Sequence, residues 1–208
     1  MSAKKIKRRN FLINSAGIGL SLMLPGMANA ANIHELIGKV FINNKKAEPT
    51  SIIHPGDLVT TGHGGRISFS VNKDAFMLKE RTSMRIESND NFFINSLRLL
   101  TGKLLSVFEK GDDRKIITST ATIGIRGTGC FLSVMPYTTY FCTCYGKTQL
   151  RAQDLREEFE ATHHNAHQLD FDGMSVMGMH AMRVIDHSDD ELRQLEGYVG
   201  RVPFFDRP

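Results

Sequence analysis

The chain has 208 residues and a formal net charge of +4, from 26 Lys and Arg against 22 Asp and Glu. Lys4, Lys5, Lys7, Arg8 and Arg9 all lie in the first thirty positions, where no acid occurs; taking those five from 26 leaves 21 bases against 22 acids. The high pI therefore belongs to the N-terminus. The near-neutral remainder has no basic footprint for nucleic acid and is long enough for one domain with a proper core.

The N-terminus reads as an export leader. An apolar stretch from Phe11 to Leu24 follows the bases, relieved by Asn14, Ser15 and glycines. It falls short of the roughly 20 strongly apolar residues of a spanning helix. Pro25-Gly26 ends it, and Ala28-Asn29-Ala30 is a small-x-small pattern for signal peptidase. Arg8-Arg9-Asn10-Phe11-Leu12 is similar to the R-R-x-F-L core of twin-arginine signals. Residues 1–30 are thus expected to send a folded chain to the periplasm, its mature form beginning near Ala31. No later apolar run is long enough for a transmembrane helix.

Strand signals then recur. Val40 and Ile42 alternate with polar neighbours ahead of a turn at Asn43-Asn44. His54-Pro55-Gly56-Asp57 reads as a turn, since Pro fixes φ and Gly accepts positive φ. Ile67, Phe69 and Val71 alternate with serines, the period-two pattern of a half-buried strand. Phe76 to Leu78, Met84 with Ile86, Leu97 with Leu99, and Leu105 with Val107 repeat it, and Thr118, Thr120 and Thr122 alternate in the same way. Turn signals every ten residues or so predict an all-β sandwich or solenoid. The C-terminus differs. Ser188-Asp189-Asp190-Glu191 is a capping box, and Leu192, Leu195 and Val199 share a helical face. One short helix is predicted there, with its acids accounted for by capping and dipole complementarity.

Gly56-Asp57-Leu58-Val59-Thr60-Thr61-Gly62 resembles the G-D-x-(V/I)-x-T-G turn of FecR-type periplasmic domains. Ala47 upstream, Gly102-Lys103-Leu104-Leu105-Ser106-Val107, Thr118, Ile125-Arg126-Gly127-Thr128 with Phe131, and Gly146 are similar to further parts of that pattern, in order. The resemblance covers roughly residues 35 to 151. It implies an all-β, FecR-type β-sandwich or short β-solenoid, followed over 152–208 by an extension ending in one short helix. The family's type members are anti-sigma regulators with a cytoplasmic domain, a membrane helix and a further signalling domain. This sequence shows no counterpart of those parts, so the resemblance implies a non-enzymatic binding or sensory module rather than transmembrane signalling.

The chemistry concentrates in three cysteines and a histidine-rich stretch. Cys142 and Cys144 are two apart in a predicted strand and share a face. A hairpin with a three-residue loop would set Cys130 opposite one of them, on that face. His163-His164-x-x-His167 follows. Thiolates with imidazoles suit zinc, copper or iron, so Cys130, Cys142, Cys144, His163 and His164 are the expected ligands of a metal or metallocofactor. A disulfide and inert buried thiols stay open as alternatives. The thioethers from Met174 to Met182, interrupted by Gly173 and Gly178, read as a loop, either packing or holding Cu(I). No G-x-S-x-G, H-E-x-x-H or phosphate loop occurs, so no enzyme is expected. The expected partner is a periplasmic protein or metal-containing ligand. A scaffold domain with structural cysteines is the competing reading, and a cysteine-based redox enzyme the third.

Overall fold

The computed structural model describes residues 32–88, 94–111 and 113–207. The expected twin-arginine leader, residues 1–30, lies outside them. In chain order the strands are β1 Ile33–Ile37, β2 Val40–Ile42, β3 Lys45–Lys46, β4 Leu58–Thr61, β5 Arg66–Val71, β6 Asp74–Leu78, β7 Ser83–Glu87, β8 Ser96–Val107, β9 Arg114–Ile117, β10 Thr122–Val134, β11 Thr138–Ala152, β12 Leu155–Ala161, β13 Asn165–Phe171 and β14 Val176–Met182. Helix α1 spans Asp189–Tyr198, and a single 3₁₀ turn covers Phe204–Asp206. The fold is all-β with one short C-terminal helix, as the strand periodicity predicts.

Three long strands organise it, because each changes partner midway. The first part of β8 pairs with β7 and its last part with β6. The first part of β10 pairs with β9 and its last part with β8. The first part of β11 pairs with β13 and its last part with β12. One branch therefore runs β1-β5-β6-β8-β10-β11-β13-β14, and the other β3-β2-β4-β7-β8-β9-β10-β11-β12. Apolar side chains from both branches meet in one core, including Phe69, Phe76, Leu97, Ile123, Leu132, Phe141 and Phe159.

The first branch is buried on its other face as well. Ala75, Met77, Leu105, Val107, Phe131 and Tyr140 point away from that core into a second one, which Leu192 and Leu195 of α1 complete. Strand periodicity explains the division, since successive side chains alternate faces. In β6, Phe76 and Leu78 join the first core and Ala75 and Met77 the second. The predicted capping box starts α1: the Ser188 hydroxyl accepts from Glu191 N at 3.3 Å, and the Glu191 carboxylate accepts from Ser188 N at 3.1 Å. The same carboxylate meets Lys79 Nζ at 2.7 Å and Arg66 Nη1 at 3.3 Å, tying the helix start to the sheet.

Two local expectations need correction. Thr118 and Thr120 are not in a strand; they form a tight turn between β9 and β10, with Thr118 N donating to Ala121 O at 2.9 Å. Alternating threonines fit a strand, but a Thr hydroxyl also caps a turn, and Thr118 Oγ1 accepts from Ala121 N at 2.9 Å. The Met-rich stretch is no loop either: Val176–Met182 is β14, an edge strand paired with β13.

Gly127 interrupts the pairing of β10 with β11, where the register shifts between Arg126 and Gly129. Its φ is +59°, and a Cβ there would stand 2.9 Å from Lys110 Cα. Gly127→Val places a β-branched residue in left-handed backbone and against another main chain. The expected cost is about 1–3 kcal/mol for the backbone alone, read as a clear fall in the thermal midpoint by circular dichroism. A variant melting with the wild type would contradict this backbone geometry.

Candidate metal centre

The hairpin register decides which thiols meet. Val134 and Thr139 form the last pair of the hairpin, with four residues between them, and Cys130 faces Thr143. A shift of one residue moves a side chain to the opposite face. Cys130 accordingly joins the core between the branches, while Cys142 and Cys144 join the one under α1. This corrects the three-thiol cluster expected from a three-residue loop. The Cys130 thiol lies 3.2 Å from Ser106 Oγ, and burial pushes it up to about 12.

The two remaining thiols gather two imidazoles. Cys142 Sγ lies 3.5 Å from His164 Nδ1, and Cys144 Sγ lies 3.4 Å from His187 Nε2. One ligand atom from each of these four residues lies within 4.8 Å of every other. Tetrahedral bonds of about 2.0–2.3 Å to nitrogen and sulfur place ligand atoms roughly 3.3–3.8 Å apart, so the group fits such an ion after a small contraction.

Each side chain is placed by identifiable structure. Strand periodicity aims Cys142 and Cys144. His164 sits in the turn between β12 and β13 at φ +53°, where its N–H donates to Cys144 O at 2.8 Å. That bond holds the ring over the two sulfurs. His187 immediately precedes the N-cap Ser188, so docking of α1 delivers it, and its ring stacks on Phe131 at 4.6 Å between centroids.

The far nitrogens of both rings are also engaged. His187 Nδ1 donates to Ile185 O at 2.8 Å. A carbonyl only accepts, so the bare nitrogen of the neutral ring is Nε2, the one facing Cys144. His164 Nε2 lies 2.8 Å from the Asp189 carboxylate. Carbonyl and carboxylate partners of this kind orient metal-binding histidines. The surroundings separate the two sulfurs electrically. Hydrogen bonding from Cys144, which outweighs burial, and then from His164 lowers the Cys142 thiol to about 4, whereas burial drives Cys144 upward. The hydrogen bond to Cys142 raises His164, reinforced by Asp189. Burial opposes ionisation of Asp189, but its bonds to His164 and His163 prevail and its pKa is lowered.

His163, an expected ligand, stands outside this group. Its Nε2 is 3.0 Å from both Asp189 oxygens, and with His164 and Asp189 it forms a second cluster nearer the surface. His167 lies among Phe141 and Phe159, 4.5 Å from the latter ring, and belongs to neither ligand group. Two residues escape a reading by local spacing. His187 is 43 positions from Cys144, and only its place directly before a helix cap hints at a fixed position. Asp189 is fully explained as a first-turn acid until the fold sets it beside His163 and His164.

No protein family matches the sequence by its profile, and no curated protein matches it. The fold is similar to two crystal structures named "putative anti-sigma factor" from Parabacteroides distasonis. The first, at 2.50 Å resolution, has a TM-score of 0.52 and 10% identity over 61% of this chain and 59% of that one. The second, at 1.65 Å, has a TM-score of 0.53 and 10% identity over 67% and 65%. At this identity the likeness is one of fold. The chain spans about three fifths of the length of the first structure, of which 59% is covered.

Proposed function

We propose that this chain is a non-enzymatic binding or sensory module of the FecR type, exported by its twin-arginine leader to the periplasm. In this reading Cys142, Cys144, His164 and His187 hold a transition metal, zinc before copper or iron. One observation carries it: two imidazoles turn their bare or exchangeable nitrogens toward two thiols, while a carbonyl and a carboxylate hold the opposite nitrogens. Two thiolates and two imidazoles fill a tetrahedral shell, the arrangement of closed structural zinc sites.

The same closure argues against catalysis. Cys142, His164 and Asp189 line up as nucleophile, base and orienting acid do, yet Cys142 is 1% exposed, which shields its sulfur from a substrate. The structural likeness to proteins named as anti-sigma factors supports a regulatory role that works through a protein partner. The competing scaffold reading draws on the hydrogen bonds within the cluster, which satisfy the thiols without an ion. Elemental analysis of natively exported protein, purified without a His-tag, separates the two. About one equivalent of metal per chain is expected; protein with none above background is a scaffold with structural cysteines.

A further inference from the structure

The buried thiols raise a question of access. Cys142 and Cys144 are 1% and 0% exposed. Phe131 covers His187 on one side, and Tyr140 packs edge-on against Phe131 at 6.0 Å. Apolar walls of this kind repel a hydrated cation. The polar way in is His164, which belongs to both ligand groups: Nδ1 faces Cys142, and Nε2 faces Asp189 beside His163. The outer group is open to solvent, with the His163 side chain 49% exposed and that of Asp189 32%.

We infer that His163 and Asp189, with the outer nitrogen of His164, form a surface loading site that captures a divalent transition-metal ion and passes it to the buried centre. The inference rests on the metal-centre reading above. Imidazole and carboxylate are the donors that replace water on a zinc-like ion, and here they are preassembled by the bonds from His163 Nε2 to the Asp189 oxygens at 3.0 Å. The ion exchanges water for these donors at the surface, then exchanges them for the inner ring nitrogens and sulfurs. The protons displaced from Cys144 and His164 leave to water. Thiolates bind a borderline-soft ion more strongly than a carboxylate does, so transfer runs inward. His163 is accordingly a loading residue that the finished centre does not retain.

The test is rapid mixing of metal-stripped mature protein with Co²⁺, following the thiolate-to-cobalt absorbance that reports arrival at the sulfurs. His163→Ala is expected to slow its appearance about tenfold while leaving the final absorbance and stoichiometry unchanged. His163→Phe retains a ring against Phe205, whose centroid is 4.7 Å from that of His163, but has no nitrogen, and should be equally slow. Wild-type rates in both variants overturn the inference. Recovery of the rate in His163→Phe does so too, since packing would then be the cause. Loss of final occupancy in both overturns it by making His163 a ligand of the centre. Failure of the metal reading looks different: the wild type itself never develops the thiolate absorbance.

Discussion

Cys142→Ser and Cys144→Ser are each expected to empty the proposed metal site and to loosen the C-terminal helix. A serine hydroxyl stays protonated at neutral pH and is a poor ligand for a zinc-like ion, so losing either sulfur leaves an incomplete shell. The structural consequence follows from where the ligands come from. Cys142 and Cys144 are on β11, His164 is in the turn before β13, and His187 lies just before α1. An ion shared among them binds the folded arrangement and not the open chain, which at a thousandfold excess over its dissociation constant is worth about 4 kcal/mol. Metal content of each variant, and thermal melts with and without a chelator, read both effects. Cys130→Ser is the control: its thiol faces the other core beside Ser106, so stability falls while the metal stays. Metal retained in Cys142→Ser, or lost equally in Cys130→Ser, would refute the assigned ligand set.

Acid should empty the same site. In the metal-free cluster the charge sits on Cys142, lowered to about 4, while Cys144 and His164 are both shifted toward keeping their protons. Ligation requires bare sulfur and bare nitrogen, so protons leave as metal enters. Each proton released on binding weakens affinity about tenfold per pH unit of acidification. The sign is fixed: occupancy falls as pH falls.

How much of this was legible in the sequence depended on range. Period two put Cys142 and Cys144 on one face, and the capping box located α1, because both rules act over a few residues. The turns at Asn43-Asn44 and His54 to Asp57 were readable for the same reason: Asn43 and Asn44 take φ of 49° and 64°, and Asp57 N reaches His54 O at 3.1 Å. Cys130 was misplaced because one residue of loop length inverts a whole strand face, and Met135-Pro136-Tyr137-Thr138 does not announce its length. His187 and Asp189 reach the site only through helix docking, which depends on the second core and has no local signature. The strand at Val176–Met182 was hidden by Gly178 within it and Gly173 just before it; an edge strand tolerates the inner glycine because one flank makes no ladder.

Arg201→Ala is expected to be among the most damaging single changes, although Arg201 touches none of the proposed metal ligands. Glu196 lies on the inner side of α1 and is 2% exposed. Its carboxylate accepts from the Tyr145 hydroxyl and from Arg201 Nε, the latter at 2.5 Å. Arg201 also donates through Nη1 to Lys73 O in the turn between β5 and β6. The pair therefore joins the end of the helix to β11 and to a turn on the other side of the second core. Removing the guanidinium leaves a buried carboxylate with one neutral donor, and breaking a buried pair in this way costs about 3–5 kcal/mol. Arg201 is 21% exposed at its side chain, so water entering the gap moves the cost toward the lower end of that range. Adding Glu196→Gln should restore much of the loss, because a neutral amide needs no counter-charge and still accepts from Tyr145. Urea unfolding of the single and double variants measures the coupling. If Arg201→Ala unfolds at the wild-type midpoint, the Glu196 carboxylate does not hold the helix, and Leu192 and Leu195 in the second core, with the Glu191 ion pairs, carry its docking.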